Sequence, residues 1–319
     1  MTPPLVSIII PVHNAARWLH TTLESALAQT WPRCEIVAVD DGSTDDSASI
    51  VRGFESRGVR LTTSPHRGAA AARNVGFASS HGDLIQFLDA DDLLAADKIA
   101  QQVPPLMAAP RHVASAAWAR FTGTPGEVPT EYPNWRDMSG VDFLCRQYEA
   151  GSMMHPAAWL TPRDLILRVG PWDETLSVND DGEFFSRIVL AAEGIAFCRQ
   201  ARSFYRSNVS GSLSQRTDPA GLASLFRSTE LITSHLLAAE RSARTTAAVA
   251  HAWKWIAYDL YPDSPALSRE AWRRCLAQGG STRPFPASRP IRWASHLVGW
   301  RIAKRLSRWA RTRRETSPA

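Results

Sequence analysis

Asp89-Ala90-Asp91-Asp92 follows the apolar run Leu84-Ile85-Gln86-Phe87-Leu88, so three carboxylates stand where a buried strand should emerge. Carboxylate oxygens are hard ligands. Asp89 and Asp91, two residues apart, can turn to one side if the strand bends there, which suits Mg2+ or Mn2+ carrying a diphosphate. The alternative is a solvated turn, or the cap of a helix starting near Ala95. A second acidic pair, Asp40-Asp41, ends the run Glu35 to Val39, and Asn179-Asp180-Asp181-Gly182-Glu183 opens a helix with Phe184 and Ile188 on its core face. Asp41 can accept hydrogen bonds from a uracil imide or a ribose hydroxyl, or only shape its turn. Arg67 and Arg73 flank the start of an Ala-rich helix, where either can meet a phosphate, and Arg67 can equally lie on a solvated helix face. At 179–183 the plain alternative is an N-cap made by Asn179 or Asp180, and the helix dipole there would keep Asp181 ionised but less basic.

The elements that must position these groups follow from periodicity. Leu5 to Val12 is a short β-branched run that reads as a buried strand, with pairing stopping at Pro11 and the strand ending at His13-Asn14. Ala15 to Gln29 reads as a helix with Leu19, Leu23, Ala26 and Leu27 on one face. Strand Glu35–Val39 runs into a turn that Gly42 permits, and Ser43 or Thr44 can cap a helix reaching about Phe54. Strand Val59–Thr62 and helix Ala69–Ser80, stopped by Gly82, repeat the pattern. Such alternation predicts right-handed crossovers and an α/β fold, a mostly parallel central sheet flanked by helices, whose strand carboxyl ends share one edge. Ligands bind at that edge, which would gather Pro11, His13, Asn14, Asp40-Asp41 and 89–92 around one crevice.

Ser7-Ile-Ile-Ile-Pro-Val-His-Asn14, Val39-Asp-Asp-Gly-Ser-Thr-Asp45, Ala72-Arg-Asn-Val-Gly76 and Leu88-Asp-Ala-Asp-Asp92, in that order and spacing, resemble the N-terminal half of family 2 glycosyltransferases. The resemblance implies a GT-A fold, a nucleotide-diphosphate-sugar donor and inversion at the anomeric carbon. It implies that Asp41 contacts the nucleobase, that Asp89 lies near ribose or sugar, and that Asp91 holds the divalent metal, Mn2+ or Mg2+. His13 departs from the pattern, which more often has Tyr; an imidazole still stacks, but base preference is left open. Aligned on Arg187, the resemblance gives Asp181 the role of catalytic base, with Asp180 in place of the usual Glu. Gly170-Pro-Trp-Asp-Glu174 resembles the lead-in to that helix, where Trp172 packs or borders the acceptor sugar.

Further along, a helix from Ala95 to Met107 is expected, broken by Pro104-Pro105 and Pro110. A strand over Val113–Phe121, a Pro/Gly-rich loop at 122–135 over the site, a helix over Met138–Tyr148, and strands over Ala157–Leu160 and Ile195–Phe204 follow. His155 lines the acceptor pocket or simply packs beside two Met. Tyr205 to Ser214 reads as a Gly/Ser loop that either closes over a diphosphate with Arg206 or is an ordinary connector. Helices over Leu222–Ala239, Ala243–Tyr258 and Ala266–Ala277 complete the expected organisation. It has a glycosyltransferase domain at 1–215, with a donor half 1–110 and an acceptor half 111–215, and a helical extension at 216–319.

The net charge of +5 is concentrated at 289–314, which holds nine Lys or Arg and no Asp or Glu. Ile291, Ala294, Val298, Ile302, Leu306 and Trp309 form one stripe if 291–309 is one helix, with Arg301, Lys304, Arg308 and Arg311 largely opposite. That pattern suits an anionic inner leaflet, and the alternatives are packing on the domain or a dimer contact. Nucleic acid is not expected, since no binding-module signature accompanies the charge. Hydrophobic residues make up 44% of the chain, and four dispersed cysteines without C-x-x-C read as reduced thiols. With no signal-peptide pattern and no spanning run, the expectation is a cytoplasmic protein, peripheral at the inner membrane face at most.

The leading reading is therefore an enzyme adding a single sugar to a saccharide or lipid-linked acceptor. UDP is the favoured carrier, with dTDP and GDP open. The Gln-x-x-Arg-Trp motif of processive relatives is absent. The competing reading is a non-catalytic nucleotide-sugar-binding or scaffold protein of the same fold. A nucleotidyltransferase would need a Gly-rich loop where His13-Asn-Ala-Ala-Arg17 stands, and a dinucleotide dehydrogenase would need G-x-G-x-x-G.

Overall fold

The computed structural model describes residues 2–207 and 217–316, so most of the expected Gly/Ser loop lies outside the described residues. The first half alternates as expected: β1 (Val6–Val12), α1 (Ala16–Leu27), β2 (Cys34–Asp41), α2 (Ser47–Gly53), β3 (Val59–Ser64), α3 (Ala69–Ser79) and β4 (Leu84–Phe87). A two-residue strand, β5 (Leu93–Leu94), then precedes α4 (Lys98–Ala108) and β6 (Val113–Phe121). After α5 (Gly140–Ala150) come β7 (Trp159–Pro162), α6 (Arg163–Val169), α7 (Asp180–Ala191) and β8 (Ile195–Arg206). Five helices close the chain: α8 (Pro219–Ala239), α9 (Ala243–Asp259), α10 (Pro265–Ala277), α11 (Arg289–Val298) and α12 (Trp300–Thr316).

One sheet runs β3-β2-β1-β4-β7-β6-β8-β5. Its first four strands are parallel, β7 is antiparallel to both of its neighbours, β6 and β8 are parallel, and β5 pairs antiparallel with β8. β1 is buried at every position because its two faces are both covered. Val6, Ile8, Ile10 and Val12 join a core with Leu19 and Leu23 of α1, Val51 of α2 and Val103 of α4, while Ile9 faces the opposite core. That second core is continuous from Phe87 through Trp159 and Phe184 to Phe226 of α8, Trp253 of α9 and Ala271 of α10. The helical extension thus shares its interior with the sheet.

Several local expectations change. Pairing of β1 does not stop at Pro11, which aligns with Val39 of β2. The proline affects only the other side: Ile9 O accepts from Leu88 N, and the next N–H facing β4 would be the one that Pro11 lacks. α2 starts at Ser47 rather than after Ser43 or Thr44, since Asn14 engages both of those residues and the Asp45 carboxylate accepts from Ser47 N. Gly82 is not a helix C-cap; a Cβ there would lie 2.4 Å from Ser7 Oγ, to which its N–H donates. α4 begins three residues later than expected because Leu93 and Leu94 pair with β8. Pro104 and Pro105 sit within α4 without ending it, Pro104 on the solvent side, where water can take the carbonyls they leave unpaired.

Candidate active site

Asn14 and Asn179 are the two non-glycine residues with positive φ among the described residues, at 49° and 59°. Each ends a turn on the same rim, and Asn is among the residues that tolerate this region. Asn14 Oδ1 accepts from Thr44 N at 2.8 Å and its own N–H donates to Ser43 Oγ, which joins the turn after β1 to the turn after β2. Asn179 Nδ2 donates to Ser228 Oγ of α8, while Ser224 Oγ accepts from Ser177 N and Val178 N. The turn entering α7 is therefore held by α8. Asn179 makes no side-chain cap, so capping does not account for the carboxylates that follow it.

Asp41 closes β2 and is 2% exposed. Its carboxylate accepts from Ser64 Oγ, Arg67 N and Gly68 N, the last at 2.8 Å, and meets His66 Nδ1 at 3.0 Å. Those bonds fix the turn that launches α3, and the negative charge suits a helix N-terminus. These are the bonds of the turn-shaping alternative, and they engage both carboxylate oxygens. The exposed group is instead His13, whose ring stacks on His66 at 4.1 Å between centroids and whose Nδ1 lies 2.9 Å from Asp41 O. The Arg67 guanidinium pairs with Glu174 at 3.4 Å.

α3 then delivers Arg73 to the centre of the edge, where it is 5% exposed. Its guanidinium bridges Asp89 Oδ1 at 2.7 Å and Asp180 Oδ2 at 2.8 Å and lies over the Trp172 ring at 4.4 Å. The other face of Trp172 stacks on Phe184 at 4.1 Å. One cation thus joins the acidic turn after β4 to the acidic start of α7. Trp172, with both faces taken and 2% exposed, packs rather than borders a sugar.

Asp181 stands beside this bridge and keeps part of its surface accessible. Burial, with Asp180 next, pushes its carboxyl up to about 7, while Arg73 opposes the shift. The expectation of a less basic Asp181 is thereby reversed: desolvation and a like charge outweigh the helix dipole. Gly182 leaves room for the Asn179 amide, for a Cβ there would lie 2.2 Å from Asn179 Oδ1. Gly182→Ala is expected to displace Asn179 from Ser228, destabilise the fold by about 1–3 kcal/mol and disturb Asp181; denaturant unfolding and the steady-state transfer rate would show both.

Asp91 is also partly accessible, and burial, followed by Asp92 and Asp89, pushes it up to about 8. A carboxylate so crowded by its own kind is a fitting donor for a divalent cation, which would offset that repulsion. Asp89 is the second candidate ligand, with one oxygen already on Arg73. His13, Asp41 and His66 also present donor atoms within 4.8 Å of one another, but the donors already on Asp41 favour the Asp91 group.

Sequence reasoning did not find the support beneath Asp91. Asp92 is fully buried: Oδ1 accepts from Arg206 N at 2.8 Å and Oδ2 lies 2.9 Å from His155 Nδ1, whose Nε2 is 2.9 Å from Ser203 Oγ. Burial pushes Asp92 up and His155 down to about 3, away from both charged forms, so a hydrogen bond rather than an ion pair couples them. His155 is therefore a packing residue with no surface to offer an acceptor. Arg206 is held between Trp18 and Phe121 at 4.1 and 4.3 Å, and its Nε donates to Asp91 O at 2.8 Å. No local pattern announces Trp18 or Ser203; the pairing of β8 with both β5 and β6, and the packing of α1, bring these segments together.

Comparison with known proteins places the chain by family and fold. The family described as Glycosyl transferase family 2 matches residues 7–169. An uncharacterized glycosyltransferase of Haemophilus influenzae is 42% identical over 106 residues, 32% of this chain and 42% of its own length. The Escherichia coli UDP-Glc:alpha-D-GlcNAc-diphosphoundecaprenol beta-1,3-glucosyltransferase WfaP is 41% identical over 100 residues, 31% of this chain and 40% of its own. The match thus spans less than half the length of these relatives. Among solved structures, S. aureus TarS 1-349 with UDP-GlcNAc superposes with a TM-score of 0.64 at 15% identity, covering 89% of this chain and 95% of that one. The mannosyltransferase PcManGT from Pyrobaculum calidifontis, solved with GDP-Man and Mn2+, gives 0.55 at 21% identity over 95% and 81%. These likenesses establish the fold, and the matched family covers more than half of the sequence: the chain belongs to glycosyl transferase family 2.

Proposed function

We propose that this glycosyltransferase moves one sugar at a time, with inversion, from a nucleotide diphosphate to a hydroxyl of a saccharide or lipid-linked acceptor, in polysaccharide or cell-envelope synthesis. The observation that carries the reading is the Arg73 bridge, which ties Asp89 on the donor side to Asp180 and hence to Asp181. Asp181 takes the proton of the acceptor hydroxyl as that oxygen attacks the anomeric carbon, and the nucleoside diphosphate leaves from the opposite face. Its raised carboxyl is a better base than an ordinary aspartate near neutral pH. A cation held by Asp91, with Asp89 beside it, would supply charge neutralisation for the departing diphosphate. The base stacks on the exposed His13–His66 pair, and Asp41 acts through the turn it holds. UDP is the favoured carrier, supported by the ligands named for WfaP and TarS, and GDP is kept open by PcManGT.

A thermal-shift panel of nucleoside diphosphates with and without Mn2+, followed by product analysis with UDP-sugars, tests this. The Asp91 carboxyl, raised above its unfolded value, contributes stability that is complete below the ordinary carboxylate range and is lost as pH rises through about 8. Mn2+ should therefore raise Tm more at about pH 8.5 than at about pH 5. A response to Mn2+ that does not depend on pH, or on Asp91→Asn, would remove Asp91 from the metal site.

A further inference from the structure

Nine large apolar side chains stand exposed among the described residues, and six of them fall within seventeen residues of the chain. They are Trp293 at 70%, Leu297 at 69%, Val298 at 43%, Ile302 at 53%, Leu306 at 56% and Trp309 at 57%. The stripe expected from one straight helix is not the one that forms. Gly299, at φ 78°, ends α11 and restarts the chain as α12, so Leu297 and Trp293 join the exposed set while Ile291 and Ala294 turn partly inward. The inner side of α12 is already committed: Trp300 packs on Tyr258, Tyr261 and Phe285, Ala303 is 3% exposed, and Lys304 Nζ donates to Tyr258 O. Arg308 is ion-paired with Asp263. The helix is thus fastened to α9 and the turn before α10, and its apolar outer side is not waiting for this domain.

Charge decides what covers it. The segment 289–314 has nine cations and no acidic residue. In a two-fold dimer the same patch meets itself, which would set these cations against their copies with nothing in the segment to neutralise them. A surface that is both apolar and strongly basic, with Trp at its two ends, matches the headgroup region of a bilayer containing anionic lipid, where apolar side chains enter and Arg pairs with phosphate. We infer that α11 and α12 form a two-helix lipid-docking face for anionic membranes. The inference deepens the proposed function in that a lipid-linked acceptor would be met there, but the docking itself does not require transfer.

The test is co-sedimentation of the full chain with phosphatidylcholine vesicles, with and without phosphatidylglycerol, at low and high salt. Binding should need phosphatidylglycerol and weaken with salt. Arg289→Gln/Arg292→Gln/Arg301→Gln should weaken it on the order of a hundredfold, and Leu297→Glu/Ile302→Glu should abolish it. Both variants should keep the unfolding temperature and the nucleoside-diphosphate shift of the parent, which reports fold and donor site separately from docking. Equal binding to neutral vesicles, retention by both variants, or no vesicle binding together with a dimer that the Glu variant dissociates would each overturn the inference. Loss of transfer with docking intact would count against the enzyme reading alone.

Discussion

Asp181→Asn is expected to slow sugar transfer by about 10²–10⁴-fold while leaving metal-dependent donor binding in place. The substitution keeps the shape and the hydrogen bond from Gly182 N, but removes the proton acceptor. Its pH profile should be as informative as its rate. In the parent, a base whose carboxyl titrates near 7 works only when ionised, so kcat/KM should rise with pH through that region and level off above it. In the variant that acid limb should vanish. Retained transfer with the limb intact would place the base elsewhere, and loss of donor binding together with transfer would show that Asp181 shapes the site rather than acting in it. The competing reading, a binding or scaffold protein, expects no transfer from the parent and so no change.

Arg73→Ala should be the most damaging single change to the fold near the site. Arg73 is buried against Asp89 and Asp180, and removing it leaves two carboxylates with no cation at hydrogen-bond distance among the described residues. Breaking a buried pair by deleting one partner costs about 3–5 kcal/mol. Denaturant unfolding should show a loss of that order, and Arg73→Ala/Asp89→Asn/Asp180→Asn should recover part of it by neutralising the stranded charges. The triple variant should still transfer poorly, since stability and the coupling of the two halves are separate properties. A single variant as stable as the parent would mean that these ion pairs are solvated and carry little weight.

Much of this was legible before the structure. The β-branched runs and their acidic ends set out a parallel sheet with chemistry at one rim, because short continuous apolar runs alternating with amphipathic helices leave few other arrangements. The acidic start of α7 was legible as an acidic first turn ahead of an apolar helical face. What could not be read were contacts set by tertiary register. Arg73 falls in a family-like motif and Arg67 does not, but neither position shows that Arg73 is buried in a bridge while Arg67 pairs with Glu174 near the surface. Asp41 and Trp172 carried the right types in the right places, but neither sequence position tells how many neighbours already occupy them. His155 is the same case: two hydrogen-bonding nitrogens look identical on paper whether they face a pocket or Asp92 and Ser203. The kink at Gly299 was missed because a stripe extrapolated through a glycine assumes a straight axis.

The hydroxyls of Ser224 and Ser228 give α8 a hold on the turn that presents Asp181, although α8 contributes no acidic group to the rim. The helical extension is therefore scaffolding for the chemistry rather than an appendage, and trimming the polypeptide just before α8 would strip the reacting carboxylate of its brace. Any shortened version meant to retain turnover has to keep that helix, and with it the neighbours that cover its other sides.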